Sequence, residues 1–174
     1  MALPPKLLYA GVGMLATAFF ASMNLTAFET KATHSGTVQR VIDGDTVDVR
    51  IQGRTQRVRL AFIDAPERRQ NWGSQSQQAL AAMVQGAQIR ITEHGTDRYG
   101  RIIGELTATE CQSNGQCNDL AVNVAMVARG HAWAYRQFSP GRQYLEAEDG
   151  ARTARIGLWS SADPTPPWTY RRAK

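Results

Sequence analysis

Three short runs of alternating apolar and polar residues lie close together in the first half of the chain. Two turn signals, Asp43-Gly44 and Gly53-Arg54, separate them, because Asp-Gly and Gly-containing pairs tolerate the positive φ angles of tight turns. Alternation combined with β-branched residues is typical of half-buried strands. The sequence therefore predicts a three-stranded meander with strands over Gly36–Ile42, Thr46–Gln52 and Gln56–Ile63.

The region after the meander predicts three helices and two further strands. Ser74 and Gln77 have the spacing of a capping box, and Asp119 is a side-chain N-cap in front of a run with apolar residues at helical spacing. The helices run from Ser74 to Gly86, from Asp119 to Gly130 and from Ser139 to about Arg155, and the strands are Ala87–Glu93 and Arg101–Thr109.

Five short strands interrupted by a helix fit two architectures. A small closed barrel removes the free edges of the sheet and can present a face that binds nucleic acid. An open sheet with helices fits the same order of elements. The predicted fold class is α+β with a mainly β core, and the pattern alone leaves both architectures open.

The first thirty residues differ in composition from the rest. Residues 7–28 carry no charge, and Lys6 precedes them. About 20 apolar residues suffice to span a membrane, while a basic start and an apolar middle also fit a signal peptide. Because Phe20 and Met23 disturb the small-residue cleavage pattern, we predict an N-terminal transmembrane anchor, with a cleaved signal peptide as the alternative. Lys6 then places the following domain outside the cytoplasm, either periplasmic or extracellular.

The chain is expected to have three parts, one of which is folded. Residues 1–30 are the anchor or signal, residues 31–159 are a single domain of a size that can bury a core, and residues 160–174 are a tail. The tail, SSADPTPPWTYRRAK, is Pro-rich and basic, so we expect it to lack packing of its own.

The charge of the chain has two interpretations. Lys and Arg total 20 against 15 Asp and Glu, which gives a net charge of +5, and only three of the basic residues are Lys. The planar fork of Arg matches phosphate and carboxylate groups, so the excess favours phosphate-rich partners. A need for solubility and a compositional bias of the source explain the excess of arginine equally well.

Cys111 and Cys117 are the two cysteines of the chain, and Ser-Asn-Gly between them is a turn signal. The two side chains can therefore face each other across a hairpin loop. Two cysteines alone are too few for a structural zinc site. An exported domain favours a disulfide, so we predict a Cys111–Cys117 bond, with free thiols in a cytoplasmic loop as the alternative.

Several charged residues fall where strands end. Asp45 closes the first turn, and Asp64 and Glu67 follow the third run in the segment IDAPE. Arg59 lies within that run, and Arg101 follows a turn in DRYGR. Each segment can be a plain turn. If the side chains meet, the carboxylates form an all-oxygen site for a hard cation, Ca²⁺ or Mg²⁺, and the arginines can bind a phosphate group.

No nucleophile pair of another kind is indicated by the sequence. His34, His94 and His131 are isolated from Ser and Cys in the pattern, and we interpret them as structural or surface residues. A metal, two arginines and a free carboxylate are instead the components of phosphoester hydrolysis by an attacking water.

Five segments of the chain, in order, resemble the signature blocks of the staphylococcal nuclease-like (thermonuclease) family. The resemblance covers about residues 36–159, and it implies an OB-fold, a five-stranded β-barrel with three helices. It also implies cleavage of DNA and RNA phosphodiesters with 3′-phosphate ends. The five segments are DGDT, RLAFIDAPE, DRYGR, VNVAMVARGHAWAY and RIGLW.

The resemblance also implies a role for each matching residue. Asp45, Asp64 and the backbone carbonyl of Ala65 would bind Ca²⁺. Arg59 and Arg101 would bind phosphate, and Glu67 would act on the attacking water. The residues expected to contact substrate are Arg98, Tyr99 and Tyr135, and Asn123 is expected to be structural. The expected substrates are DNA and RNA, the expected membrane contact is the N-terminal helix, and a monomer is expected.

The chain departs from the family pattern at a few points. Ala65 stands where the family prototype has Thr, and the stretch between Glu67 and Asp97 is shorter. A module of the same fold that binds nucleic acid or protein without catalysis is the alternative function. Such a module would be expected to lose some of the implied catalytic residues, and here all five remain: Asp45, Arg59, Asp64, Glu67 and Arg101.

Overall fold

The computed structural model describes residues 31–111, 113 and 115–173. The N-terminal anchor or signal expected at residues 1–30 lies outside these residues. Within the described part of the chain, no helix combines the length and the apolar character needed to cross a membrane.

Five strands close into a barrel, so the closed alternative among the two predicted architectures is the correct one. β1 pairs with β2 and β5, β2 pairs with β3, and β5 pairs with β6, all antiparallel. A parallel pairing of β3 with β6 closes the circle, and β7 extends β6 beyond it. The strands are β1 (Thr33–Val41), β2 (Thr46–Ile51), β3 (Arg54–Leu60), β4 (Ile63–Asp64), β5 (Gln88–Thr96), β6 (Ile102–Cys111), β7 (Cys117–Ala121) and β8 (Trp133–Ala134).

In the part of the chain that the structure describes, four α-helices and two 3₁₀ turns surround the barrel. The interior of the barrel is aliphatic, and the fully buried Val47, Val58 and Ile91 lie in it. Leu80 of the first helix and Met126 of the second close this core. The helices are α1 (Gly73–Val84), α2 (Val122–Ala128), α3 (Arg142–Thr153) and α4 (Pro167–Arg172), and the 3₁₀ turns are Arg136–Phe138 and Gly157–Ser160.

Asn123 connects three separate parts of the backbone, in agreement with the structural role expected for it. Its side-chain oxygen accepts a hydrogen bond from the Leu106 N–H at 2.9 Å. Its amide group donates to the carbonyls of Ala61 and Gly104 at 3.0 and 3.1 Å. Because the residue is buried, these bonds satisfy groups that water does not reach.

The third predicted strand is interrupted, and the interruption matters for the site. β3 ends at Leu60, and Phe62 has a positive φ of 65°. This left-handed residue turns the chain out of the barrel, so that Ile63 and Asp64 pair with Ala134 and Trp133 in a small second sheet. The prediction of one strand through Ile63 was therefore wrong.

The side-chain caps predicted for two helices were also wrong. α2 begins at Val122, and Asp119 lies in β7, where it binds Arg90 at 2.7 Å and the Thr109 hydroxyl at 3.2 Å. The hairpin between β6 and β7 places Asp119 opposite Thr109, so its carboxylate pairs across the sheet and does not cap a helix. α1 begins at Gly73 without a side-chain cap.

Gln77, the second half of the predicted capping box, has a different role. Its amide donates to the carbonyls of Val41 and Ile42 at 3.2 and 3.0 Å and so ties α1 to the end of β1. The left-handed Trp72, with a φ of 71°, starts the helix in place of a capping side chain.

The C-terminal residues do pack, contrary to the prediction for residues 160–174. Pro166 and Pro167 set the backbone for the first turn of α4, where a missing N–H costs nothing. The Trp168 ring packs edge-on against Trp133, with ring centroids 5.5 Å apart. The Gln70 side-chain amide donates a hydrogen bond to the carbonyl of Thr165 at 2.6 Å. The tail is thus part of the folded domain and lies against the second sheet.

Candidate active site

Asp45, Arg59 and Asp64 form a buried charged cluster at the end of the barrel. One Arg59 nitrogen, Nη2, lies 3.0 Å from Asp45 Oδ2 and 3.0 Å from Asp64 Oδ1. The register pairs Thr46 with Arg59, which places Asp45 beside the arginine, and the turn at Phe62 brings Asp64 back to it. The prediction that these three side chains meet agrees with the geometry.

Backbone groups fix the cluster in place. Arg59 Nη1 donates to the carbonyls of Leu60 and Ile63 at 2.7 and 2.9 Å, so the guanidinium spans the turn that follows its own strand. Asp45 Oδ2 accepts the Ala65 N–H at 2.7 Å. Asp43 Oδ1 accepts the Asp45 N–H at 3.1 Å, as an Asx turn does, so Asp43 shapes the turn that presents Asp45.

Glu67 lies at the rim of the cluster. Its backbone N–H donates to Gln70 Oε1 at 3.1 Å, and Pro66 before it is buried, so the corner that carries it is rigid. Its side chain is 37% exposed, and its Oε1 lies 2.8 Å from Arg171 Nη1. A carboxylate that is linked to the cluster and still reaches solvent is suited to act on a water molecule.

Arg171 of α4 joins the cluster, which sequence reasoning did not predict. Its Nη1 donates to Asp64 Oδ1 at 3.1 Å and to Glu67 Oε1, and its Nη2 donates to Asp64 Oδ2 at 2.8 Å. Because residues 160–174 are predicted to be an unpacked tail, the sequence does not place their arginines in the site. The signal that was available is the pairing of Trp168 with Arg171, three residues apart, after two prolines.

Burial perturbs the carboxylates of this cluster. It raises the pKa of Asp64 above its usual range, although the hydrogen bonds from Arg171 and the charge of Arg59 oppose the rise. Burial and the neighbouring charge of Asp45 raise the pKa of Asp43 to about 6. The site therefore gathers more negative charge than its burial favours, and cations near it are stabilising.

Arg98, Tyr99 and Arg101 lie on an exposed turn beside the cluster and do not contact its carboxylates. Asp97 organises this turn: its Oδ1 accepts the N–H groups of Tyr99 and Arg101, and its Oδ2 accepts Arg101 Nε at 2.7 Å. Burial tends to raise the pKa of Asp97, but these bonds outweigh it and lower the pKa. The Tyr99 ring is 73% exposed.

A groove of about 310 Å³ runs from this turn along the barrel wall. Arg101 and Tyr99 line one side of it, and Arg57 and Thr55 of β3 line the other. The pairing of Arg59 with Ile103 places Arg101 near the Arg59 end of β3. The groove thus brings an exposed aromatic ring and two arginines together with the carboxylate of Asp48, and Asp45, Arg59 and Asp64 are not among its lining residues.

Tyr135, the predicted substrate-stacking residue, follows β8 and is covered by α4. Its N–H donates to the Phe62 carbonyl at 2.7 Å, which ties it to the turn that carries Asp64. Its ring stacks on Trp168 with centroids 5.6 Å apart and planes 16° apart. The ring therefore has one face against the C-terminal helix.

The atoms of the cluster that can bind a metal ion are all oxygen atoms, which are the ligands that a hard cation requires. Among residues 31–111, 113 and 115–173, no group of three or more His, Cys, Asp and Glu side chains is arranged as a metal site. Asp45 and Asp64 nevertheless converge on one cationic nitrogen, and the buried Ala65 adjoins them. Two carboxylates, with carbonyl oxygens and water as the remaining ligands, are compatible with Ca²⁺.

Cys111 and Cys117 form a disulfide, as predicted. They are paired in the register of β6 and β7, so the bond closes the hairpin loop between these two strands.

Comparison with known proteins gives the family of this fold and site. A profile of staphylococcal nuclease homologues matches residues 57–161. A micrococcal nuclease from Shigella flexneri is 43% identical over 144 residues, which cover 82% of this chain and 83% of the relative. Protein ParB from Escherichia coli is 40% identical over 161 residues, 91% of each chain, and an uncharacterised Escherichia coli endonuclease is 39% identical over 139 residues, 80% and 86% of the two chains. The chain belongs to the staphylococcal nuclease family.

Proposed function

We propose that this protein is a Ca²⁺-dependent nuclease that hydrolyses phosphodiester bonds of DNA and RNA and leaves 3′-phosphate ends. The observation that carries the proposal is the meeting of Asp45, Arg59 and Asp64 at one end of the barrel, with Glu67 at the rim. The relatives named as nucleases support the same class of reaction.

Arg59 supplies fixed positive charge where the phosphate reacts. Its guanidinium is held by two carbonyls and two carboxylates and is 14% exposed, so it does not need to reorganise during the reaction. A preorganised donor of this kind stabilises the negative charge that grows on the phosphoryl oxygens in the transition state. Arg101, beside the groove, provides a second contact to phosphate.

Glu67 accepts a proton from, or orients, the attacking water. Its position at the rim gives it access to solvent, and the rigid corner after the buried Pro66 holds it beside Asp64. Water then forms the new bond to phosphorus, and the 5′ oxygen of the next nucleotide leaves.

Asp45, Asp64 and the Ala65 carbonyl are the residues that would hold Ca²⁺. When bound there, the ion polarises a phosphoryl oxygen and lowers the pKa of a bound water. Arg98, Tyr99 and Tyr135 are the proposed contacts to the substrate, because aromatic rings stack on bases and arginines bind phosphates. The Tyr99 ring is exposed, and the Tyr135 ring has one face against Trp168.

A nuclease assay with control of the metal tests this proposal. The purified chain should degrade single-stranded DNA and RNA in Ca²⁺ and stop when a chelator is added, and the products should carry 3′-phosphate. Activity that persists in chelator would contradict the metal assignment. Binding of both substrates without cleavage under all metal conditions would favour the non-catalytic binding module.

We further propose that the domain acts outside the cytoplasm, as a monomer that is membrane-anchored through residues 1–30 or secreted. The Cys111–Cys117 disulfide supports this location, because such bonds persist in oxidising compartments. Cell fractionation with protease protection is the test. A full-length chain found in the cytoplasm would contradict both the anchor and the export.

A further inference from the structure

α4 places two side chains on the proposed nuclease site at once. Trp168 and Arg171 are three residues apart, so they share one face of the helix. The guanidinium of Arg171 binds Asp64 and Glu67, and the ring of Trp168 stacks on Tyr135. The same short helix therefore covers a proposed metal ligand, the proposed water-activating carboxylate and the proposed base-stacking ring.

The hydrogen bonds of Asp64 leave little room for a metal ion. Its Oδ1 accepts from Arg59 and from Arg171, and its Oδ2 accepts from Arg171. A carboxylate offers about four lone-pair positions, and three are already used. A divalent cation bound to Asp64 would also lie within a few ångströms of the Arg171 charge, where the two repel each other.

Arg171 is the more easily displaced of the two arginines. Its side chain is 42% exposed, against 14% for Arg59. α4 has six residues and is held by the Trp168 ring contacts, by Gln70 at Thr165, and by the Tyr170 hydroxyl on the Arg69 carbonyl at 3.2 Å. A helix of six residues in which Pro167 is the buried residue opens at low free-energy cost.

We propose that α4 is an internal competitor of the divalent cation and of the substrate. Arg171 compensates the charge of Asp64 and Glu67 while the cation is absent, and Trp168 occupies the Tyr135 face that a base would use. Binding of the cation displaces Arg171, and α4 then leaves the Tyr135 ring. The site is accessible to nucleic acid only after the cation has bound. This inference rests on the proposed function, because it requires Asp45 and Asp64 to bind a divalent cation.

Calorimetric titration of Ca²⁺ into the purified full-length chain, without nucleic acid, is the first test. Arg171→Ala should bind Ca²⁺ about tenfold more tightly than the unmodified chain, since the competing charge is gone. The matched control is Arg172→Ala, which removes the same charge from the next residue of α4. Among the described residues, Arg172 shows no contact with the carboxylates, so its Ca²⁺ affinity should stay within twofold of the unmodified chain.

The outcomes of this titration separate the inference from the proposed function. Equal affinity of the unmodified chain and Arg171→Ala, or weaker binding by Arg171→Ala, would overturn the competition and leave the nuclease proposal standing. Absence of Ca²⁺ binding in both would overturn the metal assignment and the competition with it. Circular dichroism of each variant shows that a change in affinity is not a loss of the fold.

Fluorescence gives a second readout that does not depend on activity. Ca²⁺ should shift the tryptophan emission to longer wavelength, because Trp168 leaves Tyr135 and Trp133 and becomes more exposed to water. Trp168→Phe should bind Ca²⁺ and show a smaller shift, which comes from Trp133 when α4 leaves it. A shift of undiminished size in Trp168→Phe, or Ca²⁺ binding without any shift in the unmodified chain, would overturn the proposal.

Discussion

Two arginines bind the same carboxylate, Asp64, from two different regions of the molecule. Arg59 comes from β3, and its guanidinium also binds Asp45 and the carbonyls of Leu60 and Ile63. Arg171 comes from a six-residue helix near the end of the chain, and besides Asp64 it binds the half-exposed Glu67. The two side chains satisfy the same oxygen atom, Asp64 Oδ1, at 3.0 and 3.1 Å.

The two arginines differ in the other groups that they bind and in how deeply those groups are buried. Removing Arg59 takes one hydrogen-bond donor from each of two buried carboxylates and two carbonyls at the end of the barrel, so the site and the fold depend on it together. Removing Arg171 exposes carboxylates that water can reach. Similar distances to one carboxylate therefore correspond to different functions: Arg59 is part of the scaffold of the site, and Arg171 is exchangeable.

The largest expected effect is that of Arg59→Ala. Loss of one partner of a buried ion pair costs about 3 to 5 kcal/mol, because the remaining charges stay buried without compensation. Loss of one donor to the transition state costs at least about a hundredfold in rate. Urea unfolding and the nuclease assay measure the two effects. The control is Arg57→Ala on the same strand, whose side chain is 47% exposed and binds Asp48. Equal effects of the two substitutions would contradict the scaffold role of Arg59.

Glu67→Gln should change activity and leave stability nearly unchanged. The amide keeps the shape of the side chain but does not accept the proton of the attacking water, so the rate should fall about a hundredfold or more. The residue is half-exposed and Arg171 retains Asp64, so the free energy of unfolding should change little. Glu146→Gln, at an exposed ion pair with Arg142, is the control and should keep full activity. Near-normal turnover of Glu67→Gln would show that Glu67 has another role.

The sequence predicted the first three strands and the scaffold half of the site for local reasons, whereas the closed barrel was implied only by the resemblance to the family. Alternation of apolar residues determined the faces of β1, β2 and β3, and the Asp43-Gly44 turn determined where Asp45 emerges. Because a turn and the end of a neighbouring strand meet at one edge of a sheet, the meeting of Asp45 with Arg59 and Asp64 was predictable.

The parts that were not predictable depend on contacts distant in sequence. Phe62 adopts a positive φ because Ile63 and Asp64 pair with β8, about seventy residues later. Asp119 has the local signature of a helix cap, but its partner is Arg90 across the sheet. A tertiary contact replaced the local preference in both cases.

The tail is the clearest case of such a distant contact. Its composition, Pro-rich and basic, is typical of unpacked segments. What orders it is a surface that the rest of the chain forms: the Trp133 ring, the Tyr135 ring and the carboxylates of Asp64 and Glu67. Composition describes the segment alone and does not describe this surface.

Trp168→Ala tests how firmly α4 is held, with a smaller expected effect. Aromatic pairs contribute about 0.5 to 1.5 kcal/mol beyond the area they bury, and Trp168 contacts both Trp133 and Tyr135. We expect the free energy of unfolding to fall by about 1 to 2 kcal/mol in the absence of metal. Excess Ca²⁺ should reduce the difference in unfolding free energy between Trp168→Ala and the unmodified chain, because Ca²⁺ displaces α4 in both of them. A difference that is the same with and without Ca²⁺ would indicate that the helix remains docked.

The smallest effect is expected at Asp48, which resembles Asp64 in binding two arginines but lies on the barrel wall. The side chains of its partners, Arg57 and Arg40, are 47% and 66% exposed. The hydrogen bond from Arg57 and the nearby Arg40 lower the pKa of Asp48, although burial opposes them. Because the folded pKa is below the unfolded value, the unfolded state binds more protons, and the stabilisation is present above about pH 4 and is lost as the pH falls further.

Asp48→Asn should therefore lower the free energy of unfolding at pH 7 by no more than about 1 kcal/mol, since exposed arginines are screened by solvent. The difference from the unmodified chain should be smaller at pH 3, because protonation of Asp48 removes the charge that the arginines stabilise. Urea unfolding at the two pH values measures it, and Ca²⁺ should have no influence on it. A loss several times larger, or one that is as large at pH 3 as at pH 7, would mean that buried contacts hold Asp48 as they hold Asp64. The exposed fraction of an arginine side chain would then not distinguish a structural arginine such as Arg59 from an exchangeable one such as Arg171.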